Sequence, residues 1–411
     1  MLNQSLSQKN LEQLQWRTSY KFNNGIVEKI FFEDTFKEIQ RKLSNIEYEF
    51  DDFKIKKIKK STTTSGNNIA YDSGTAADEL IIRKVNDNIK RLFRIKTADR
   101  NSIVKQVISL LHDSQPIFIT RLDIKSFYDS IDANSLIEEI TRDNLLSYES
   151  RMILLSFREK LSVQRINGLP RGLCLSATLS ELRLRKFDQK IREIREVYYY
   201  ARFVDDIIIF SISPATEIIK LAERILKEAA PELQLNTGQK LSLISPEKNK
   251  RDYSTLDYLG YRINFESRPS KKNKRKVVVK ISPKKISKIK NRIQRSITAF
   301  SSNKNVQLLK ARIKFLTGNQ YVIGDAQRTK LKSGIYYNYQ LINDKSQLSE
   351  LDQHFNSLFT SHHPPIKSAI SELERMGLLS MIKRYSFRFG FECKVMNSFD
   401  KRTRTKIKGC W

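Results

Sequence analysis

Residues 198–212 read YYYARFVDDIIIFSI. Two β-rich runs flank Val204-Asp205-Asp206, which predicts a hairpin with two adjacent acids at its tip. A second segment, ITRLDIKSFYDSID (119–132), carries a comparable signal. Ile117-Phe118-Ile119 leads through Leu122 to Asp123 and then to the aromatic pair Phe127-Tyr128. It reads as a strand that delivers Asp123 at its end, followed by a turn and a helix capped near Asp132. Adjacent carboxylates among hydrophobic strands repel each other and cost desolvation unless a divalent cation neutralises them. Either segment alone would pass as an acidic turn. Together they offer three carboxylates able to converge, the requirement of two-metal phosphoryl transfer.

These acids sit in a strongly basic chain. Its 411 residues hold 75 Lys+Arg against 45 Asp+Glu, a formal net charge of +30, with 39% hydrophobic residues. That is ample material for a buried core, so disorder does not describe the whole chain. Cys174, Cys393 and Cys410 form no C-x-x-C pair, which excludes a disulfide scaffold and a zinc ribbon. No signal pattern or membrane-length apolar run occurs, so a cytoplasmic protein with no membrane partner is expected. A charge of this size favours nucleic acid over a small acidic substrate. Residues 268–345 contain 21 Lys or Arg against Asp325 and Asp344 alone. There Ser282-Pro283 reads as N-cap and first helical position, and Ile286, Ile289, Ile293, Ile297 and Phe300 form one apolar stripe. Lys284, Lys285, Lys288, Lys290, Arg292 and Arg295 cover the rest. A solvated face is the bland account of such a run; contact with backbone phosphates is the one adopted, because the charge is unopposed. The tract SRPSKKNKRK before it reads as an exposed loop or hairpin tip.

The order and spacing of these segments resemble the palm of a reverse transcriptase. Asp123 with Tyr128 is similar to motif A, and GLPRGLCLSATLSEL (168–182) resembles motif B. Phe203-Val204-Asp205-Asp206 stands where the family has Tyr-x-Asp-Asp. Leu235-Asn236 with Lys240 resembles motif D, and Leu256–Tyr261 resembles the primer-grip motif E. Upstream, IRKVNDNIKRLFRIK (82–96) is similar to the fingers hairpin, with Asn86-Asp87-Asn88 at its turn. The resemblance implies an RNA-directed DNA polymerase using two Mg²⁺ ions, or Mn²⁺ in their place. Asp123, Asp205 and Asp206 would hold the metals, completed by the Ile124 carbonyl, and Lys240 would protonate the leaving pyrophosphate. Lys84, Arg91, Tyr128, Arg171 and Gly172 would meet the incoming nucleotide, with Tyr128 as the gate against a 2′-hydroxyl. Gly168, Pro170, Leu259, Gly260, Lys284, Lys285, Lys288 and Arg292 would contact primer and template.

Motif B departs from the usual Pro-Gln-Gly and Ser-Pro, having Arg171 in place of Gln and Ala177 after Ser176. With Phe203 opening motif C, these departures resemble the bacterial abortive-infection and defence-associated reverse transcriptases, and most closely one of the paired polymerases of the type 3 defence system. That resemblance implies a dedicated non-coding RNA template, dNTPs, a DNA product, a second reverse transcriptase subunit with higher assembly, and a role in phage defence. Competing readings are a group II intron-type maturase, opposed by the lack of an HNH or Cys-rich endonuclease pattern, a non-catalytic RNA-binding scaffold, and an RNA-dependent RNA polymerase. His362-His363 reads as a surface Pro turn. Tyr336, Tyr337 and Tyr339 could supply a priming hydroxyl, though tyrosines of this kind more often pack or stack on bases.

The expected architecture is α+β, a right-hand polymerase with a C-terminal extension. It comprises an N-terminal extension and connector (1–78), fingers (79–115), a palm with an antiparallel sheet (116–265), a basic helical thumb (266–345) and a C-terminal region of unknown role (346–411). Within that last region 348–359 and 366–382 read as helical, and YSFRFGFECKV (385–395) as a strand.

Overall fold

A computed structural model of the chain describes residues 3–18, 25–45, 48–57, 69–113, 118–236, 241–245, 253–268, 274–323 and 330–411. The chain forms two compact units. The first takes Met1–Asp99 and Pro116–Ser245, and the second takes Arg100–Gln115, Pro246–Gly324 and Thr329–Trp411.

Two sheets belong to the first unit. β1 (Lys54–Lys57) and β2 (Ile69–Asp72) pair as an antiparallel hairpin. β3 (Phe118–Asp123), β4 (Val197–Phe203), β5 (Asp206–Ser211) and β6 (Ser242–Ile244) make an antiparallel sheet in the order β4-β5-β3-β6. Its middle is dry: Ile207, Ile208, Ile209 and Phe210 are all fully buried. The helices Ala76–Leu92, Ala133–Arg142, Cys174–Arg183 and Ala215–Ala229 contribute to the same core through Ile81, Val85, Ile137, Leu179, Ile218 and Ala222. Asp132 caps the second of these helices, its carboxylate accepting from the backbone N–H groups of Asn134 and Ser135.

The fingers hairpin expected at 82–96 is instead part of the continuous helix Ala76–Leu92. Leu80, Ile81, Ile82, Val85 and Ile89 recur at helical spacing and are buried, and that period overrides the turn signal of Asn86-Asp87-Asn88. The Asn88 amide is itself buried and donates to Gln4 O and Ser150 Oγ, each at 2.9 Å. Thr75 caps the helix, and fully buried Asp78 in its first turn accepts from Lys42 Nζ and Tyr48 Oη, both at 2.9 Å. A separate strand pair of this unit, β1–β2, lies earlier in the chain, with the basic run KIKK (54–57) forming β1.

In the second unit, β7 (Tyr253–Tyr258), β8 (Tyr261–Glu266) and β9 (Val277–Ile281) form an antiparallel meander. β10 (Asn319–Ile323) pairs antiparallel with β11 (Lys330–Gly334) and parallel with β12 (Met396–Asn397). The helix Pro283–Asn303 starts at Ser282-Pro283 as expected and buries Ile286, Ile293, Ile297 and Phe300. Of the tract 267–276, residues 269–273 lie outside the described residues; Arg275 is 1% exposed, its backbone N–H donating to His112 O.

Residues 385–395 are not a strand. Phe387–Glu392 is a helix, because Ser386 caps it by accepting from Phe389 N, and Asp352 accepts from Ser386 Oγ and Phe387 N at 2.7 and 2.6 Å. A side chain at Gly390 would strike the Thr317 carbonyl, so this helix crosses the end of the helix Val306–Thr317 backbone to backbone. The C-terminal segment therefore packs within the same unit as the basic helix. The units also divide the chain away from the expected limits at 115 and 265: the helix Arg100–His112 and the β7–β8 hairpin fall in the second. No described helix is long and apolar enough to cross a membrane.

Candidate active site

The register of the central sheet decides the site. β3 and β5 pair antiparallel so that Asp123 lies directly opposite Asp206, and Asp205 precedes Asp206 in the β4–β5 turn. Ligand oxygens of Asp123, Asp205 and Asp206 all lie within 4.8 Å of one another. Asp123 is 2% exposed, and the other two are half-buried. The strand ends are tied together around them: Ile124 N donates to Asp205 O at 3.3 Å, and Asn236 N to Asp123 O at 2.7 Å. Ile124 bridges Leu235, so the segment expected to resemble motif D closes beside Asp123.

Two arginines that sequence reasoning passed over hold this arrangement. Arg121 Nη2 donates to Asp206 Oδ1 at 2.7 Å. It stands two residues before Asp123 and therefore on the same face of β3, which is the signal that could have revealed it. Arg202 is nearly enclosed. Its guanidinium forks onto Asp188 (2.8 and 2.7 Å) and onto Glu181 (3.2 and 2.7 Å), and Nη1 also reaches Val204 O at 3.0 Å. Val204 has φ of 61°, a conformation a β-branched residue adopts only under constraint. Arg202 supplies that constraint, fixing the turn that aims Asp205 and Asp206. Tyr200 Oη donates to the same Asp188 at 2.5 Å, and its pKa is pushed well up by burial and by that carboxylate.

Three carboxylates at this separation are a hard-oxygen donor set that fits a divalent cation. Asp206 shares its charge with Arg121, which reduces the repulsion in the cluster.

The Tyr128 ring is half-buried, on the short helix Phe127–Ser130. Its hydroxyl is pushed up in pKa by burial, against the opposing effect of a hydrogen bond with Ser180. Leu169 N donates to Tyr128 O at 2.8 Å. Gly168 has φ of 76°, and a Cβ there would lie 2.5 Å from that carbonyl. Arg171 pairs with Asp129 at 2.6 Å, while Arg171 O accepts from Tyr71 N of β2 at 2.6 Å. Gly172, at φ of 106°, would drive any side chain into Tyr71 O. Pro170 O accepts from Ser176 Oγ at 2.7 Å. The glycine loop is thus seated between Tyr128 and β2.

Lys84, expected to meet the nucleotide, is not available to it. Lys84 is 3% exposed and donates to Asn88 Oδ1 at 2.8 Å and Asn3 O at 3.2 Å, so it is spent on packing. Arg91 pairs with Asp87 one helical turn away. Lys240 lies outside the described residues.

In the second unit, Leu259 (φ 44°) and Gly260 (φ 86°) make the β7–β8 turn. Arg100 donates to Leu259 O through Nε and Nη2, at 2.9 and 2.5 Å. A Cβ on Gly260 would sit 3.1 Å from Arg100 Nη2 and 3.5 Å from Lys285 Cε. Lys284, Lys285 and Lys288 are exposed, and Arg292 is half-buried. Although these two residues are exposed overall, the Lys285 and Lys288 ammonium groups are pushed down in pKa, first by partial desolvation and then by neighbouring cations, Lys284 and Arg292 among them. Arg100 was not singled out in the sequence because nothing local marks it.

Residues 77–263 match the family described as reverse transcriptase (RNA-dependent DNA polymerase). Over those residues, fewer than half of the 411, the chain is similar to a reverse transcriptase domain. The enzyme class this domain marks is RNA-directed DNA polymerase, a nucleotidyltransferase. With its antiparallel sheets and helices, the fold is that of a right-hand polymerase, α+β. No curated protein matches the chain. Among solved structures, apo telomerase from Candida tropicalis truncated from its C-terminal domain is similar at 16% identity and a TM-score of 0.35, over 50% of this chain and 45% of that one. Telomerase from Candida albicans, in complex with a TWJ fragment of telomeric RNA, is similar at 12% identity and a TM-score of 0.39, over 95% of this chain and 68% of that one. At these TM-scores neither likeness carries an argument. The matched residues include every carboxylate of the candidate site.

Proposed function

We propose that the chain is an RNA-directed DNA polymerase that adds dNTPs to a primer on an RNA template, with two Mg²⁺ ions held by Asp123, Asp205 and Asp206. The observation that carries this is the β3–β5 register, which places the three carboxylates within 4.8 Å inside the segment similar to a reverse transcriptase domain. Bound divalent ions would lower the pKa of the attacking hydroxyl and stabilise the leaving oxygen. The chain's own part is positional. Asn236 and Asp205 backbone groups fix the end of β3, Arg202 fixes the hairpin turn, and Arg121 balances Asp206. Tyr128 closes the space of a 2′-hydroxyl, and the loop around Gly168 and Gly172 brings backbone close to the nucleotide. Lys240 would give the proton to the leaving pyrophosphate.

In this reading the four-stranded sheet is the palm, β1–β2 the fingers hairpin, and Pro283–Asn303 the thumb helix that meets backbone phosphates with Leu259 and Gly260. Arg171, Ala177 and Phe203 support a finer placement among bacterial defence-associated reverse transcriptases. It would act in the cytoplasm with a dedicated non-coding RNA and a second polymerase subunit.

The test is incorporation of labelled dNTPs by the purified protein with its co-purifying RNA. Asp205→Asn is expected to abolish incorporation and leave RNA bound; incorporation that survives overturns the site. Sequencing the bound RNA together with the DNA product checks the dedicated template, and an unselected mixture of cellular RNAs overturns it.

A further inference from the structure

Outside the matched domain, aromatic rings and lysines line one strip of the second unit. Tyr321 on β10 stands opposite Lys332 on β11 and is 44% exposed. Lys332 Nζ lies 5.3 Å over the Tyr337 ring. Tyr337 meets Tyr336 edge-on, with centroids 5.1 Å apart and planes at 86°. Lys394 Nζ then lies 4.7 Å over Tyr336. The strip is built on a firm base: Tyr336 packs at 5.2 Å against Phe391, which is 5% exposed on the helix locked by Gly390. Tyr339, the third tyrosine of the cluster, is buried against Tyr261 and belongs to the core. The nearby acid Glu392 is already engaged by Lys345 and Arg388.

We propose that Tyr321, Lys332, Tyr337, Tyr336 and Lys394 form a binding strip for single-stranded nucleic acid, in which unpaired bases stack on the rings and the two lysines take the phosphates. Water-exposed lysines held over rings gain little from those contacts. A polynucleotide gives both partners a better use, since every base has a π-face and every linkage a charge. Paired bases present no free face to the strip, so it selects single strands over duplex. Neither stacking nor phosphate contact reads the 2′-hydroxyl, so single-stranded RNA and DNA are both ligands. The proposal stands independently of the polymerase reading, because none of these residues lies in the matched domain.

The experiment is fluorescence anisotropy on the full chain with labelled oligo(rU), oligo(dT) and an RNA–DNA hybrid, each of about 12 units, at several salt concentrations. The double variant Tyr321→Ala/Tyr337→Ala is expected to weaken both single strands by about tenfold or more, with the hybrid changed less than about twofold. Lys332→Gln/Lys394→Gln is expected to reduce the salt slope for single strands by about 1.4. Tyr337→Trp retains a ring and is expected to keep binding, which separates stacking from a folding defect. The proposal is overturned by any of three results: no single-strand binding by the parent chain, unchanged binding by the Ala variant, or equal loss on single strand and hybrid.

Discussion

Arg202 shows how much of the site depends on a residue that performs no chemistry. Its fork satisfies Asp188 and Glu181 together, and it also reaches the carbonyl of the left-handed Val204. Removing one partner of a buried charge network leaves the others uncompensated, at a cost of about 3–5 kcal/mol. Arg202→Met should therefore lower the unfolding free energy by roughly that amount in urea titrations. Arg202→Lys keeps the charge but cannot fork, so it should recover part of the stability and little of the polymerisation rate. If the Lys variant polymerises normally, the fork is not what positions Asp205. Tyr128 gives a second prediction at this scale. Tyr128→Val opens the space beside the sugar and should raise NTP use relative to dNTP; unchanged selectivity would remove Tyr128 from the gate.

At the level of elements, the glycine loop couples three pieces of the first unit. Gly168 approaches Tyr128 O and Gly172 approaches Tyr71 O, both at positive φ. Gly172→Ala must strain the backbone and push the loop off β2, so it should slow incorporation sharply and cost about 1–3 kcal/mol in stability. An Ala variant with parental kinetics would show that the β2 contact does not matter. The same elements show what was legible in the sequence. The β4–β5 hairpin, the helix cap at Asp132, the helix start at Ser282-Pro283 and the convergence of three acids followed from β-rich composition, capping residues and spacing. The fingers hairpin did not, because Asn86-Asp87-Asn88 imitates a turn while its neighbours keep helical period. The aromatic run 387–391 imitates a strand, and its helix is dictated by Asp352, distant in sequence. Arg202 was visible only as a letter, since its role depends on Asp188 and Glu181, while Arg121 was signalled only by its place two residues before Asp123. Local pattern carried the elements, and partners remote in the chain decided the exceptions.

Across the whole molecule, the +30 charge is an energetic burden that a polyanion would relieve. Lys285 and Lys288 register part of it. Partial desolvation is the larger cause of their depressed pKa, and neighbouring cations add to it. A lysine whose folded pKa lies below its unfolded value binds fewer protons when folded, so stability rises with pH across the interval between the two values. Below that interval both states are protonated and the full penalty stands. The free protein should thus gain stability as pH climbs from the depressed pKa towards 10.5, as far as these two groups are concerned. Lys285→Gln removes the charge outright. It should raise the thermal midpoint of the free chain at neutral pH, flatten its pH dependence in the alkaline range, and reduce the salt slope of duplex binding by about 0.9. Added salt should likewise raise the midpoint of the parent more than that of the variant, because screening acts on the same repulsion. A variant that is less stable yet keeps the parental salt slope would mean that Lys285 is a packing residue with no part in holding nucleic acid.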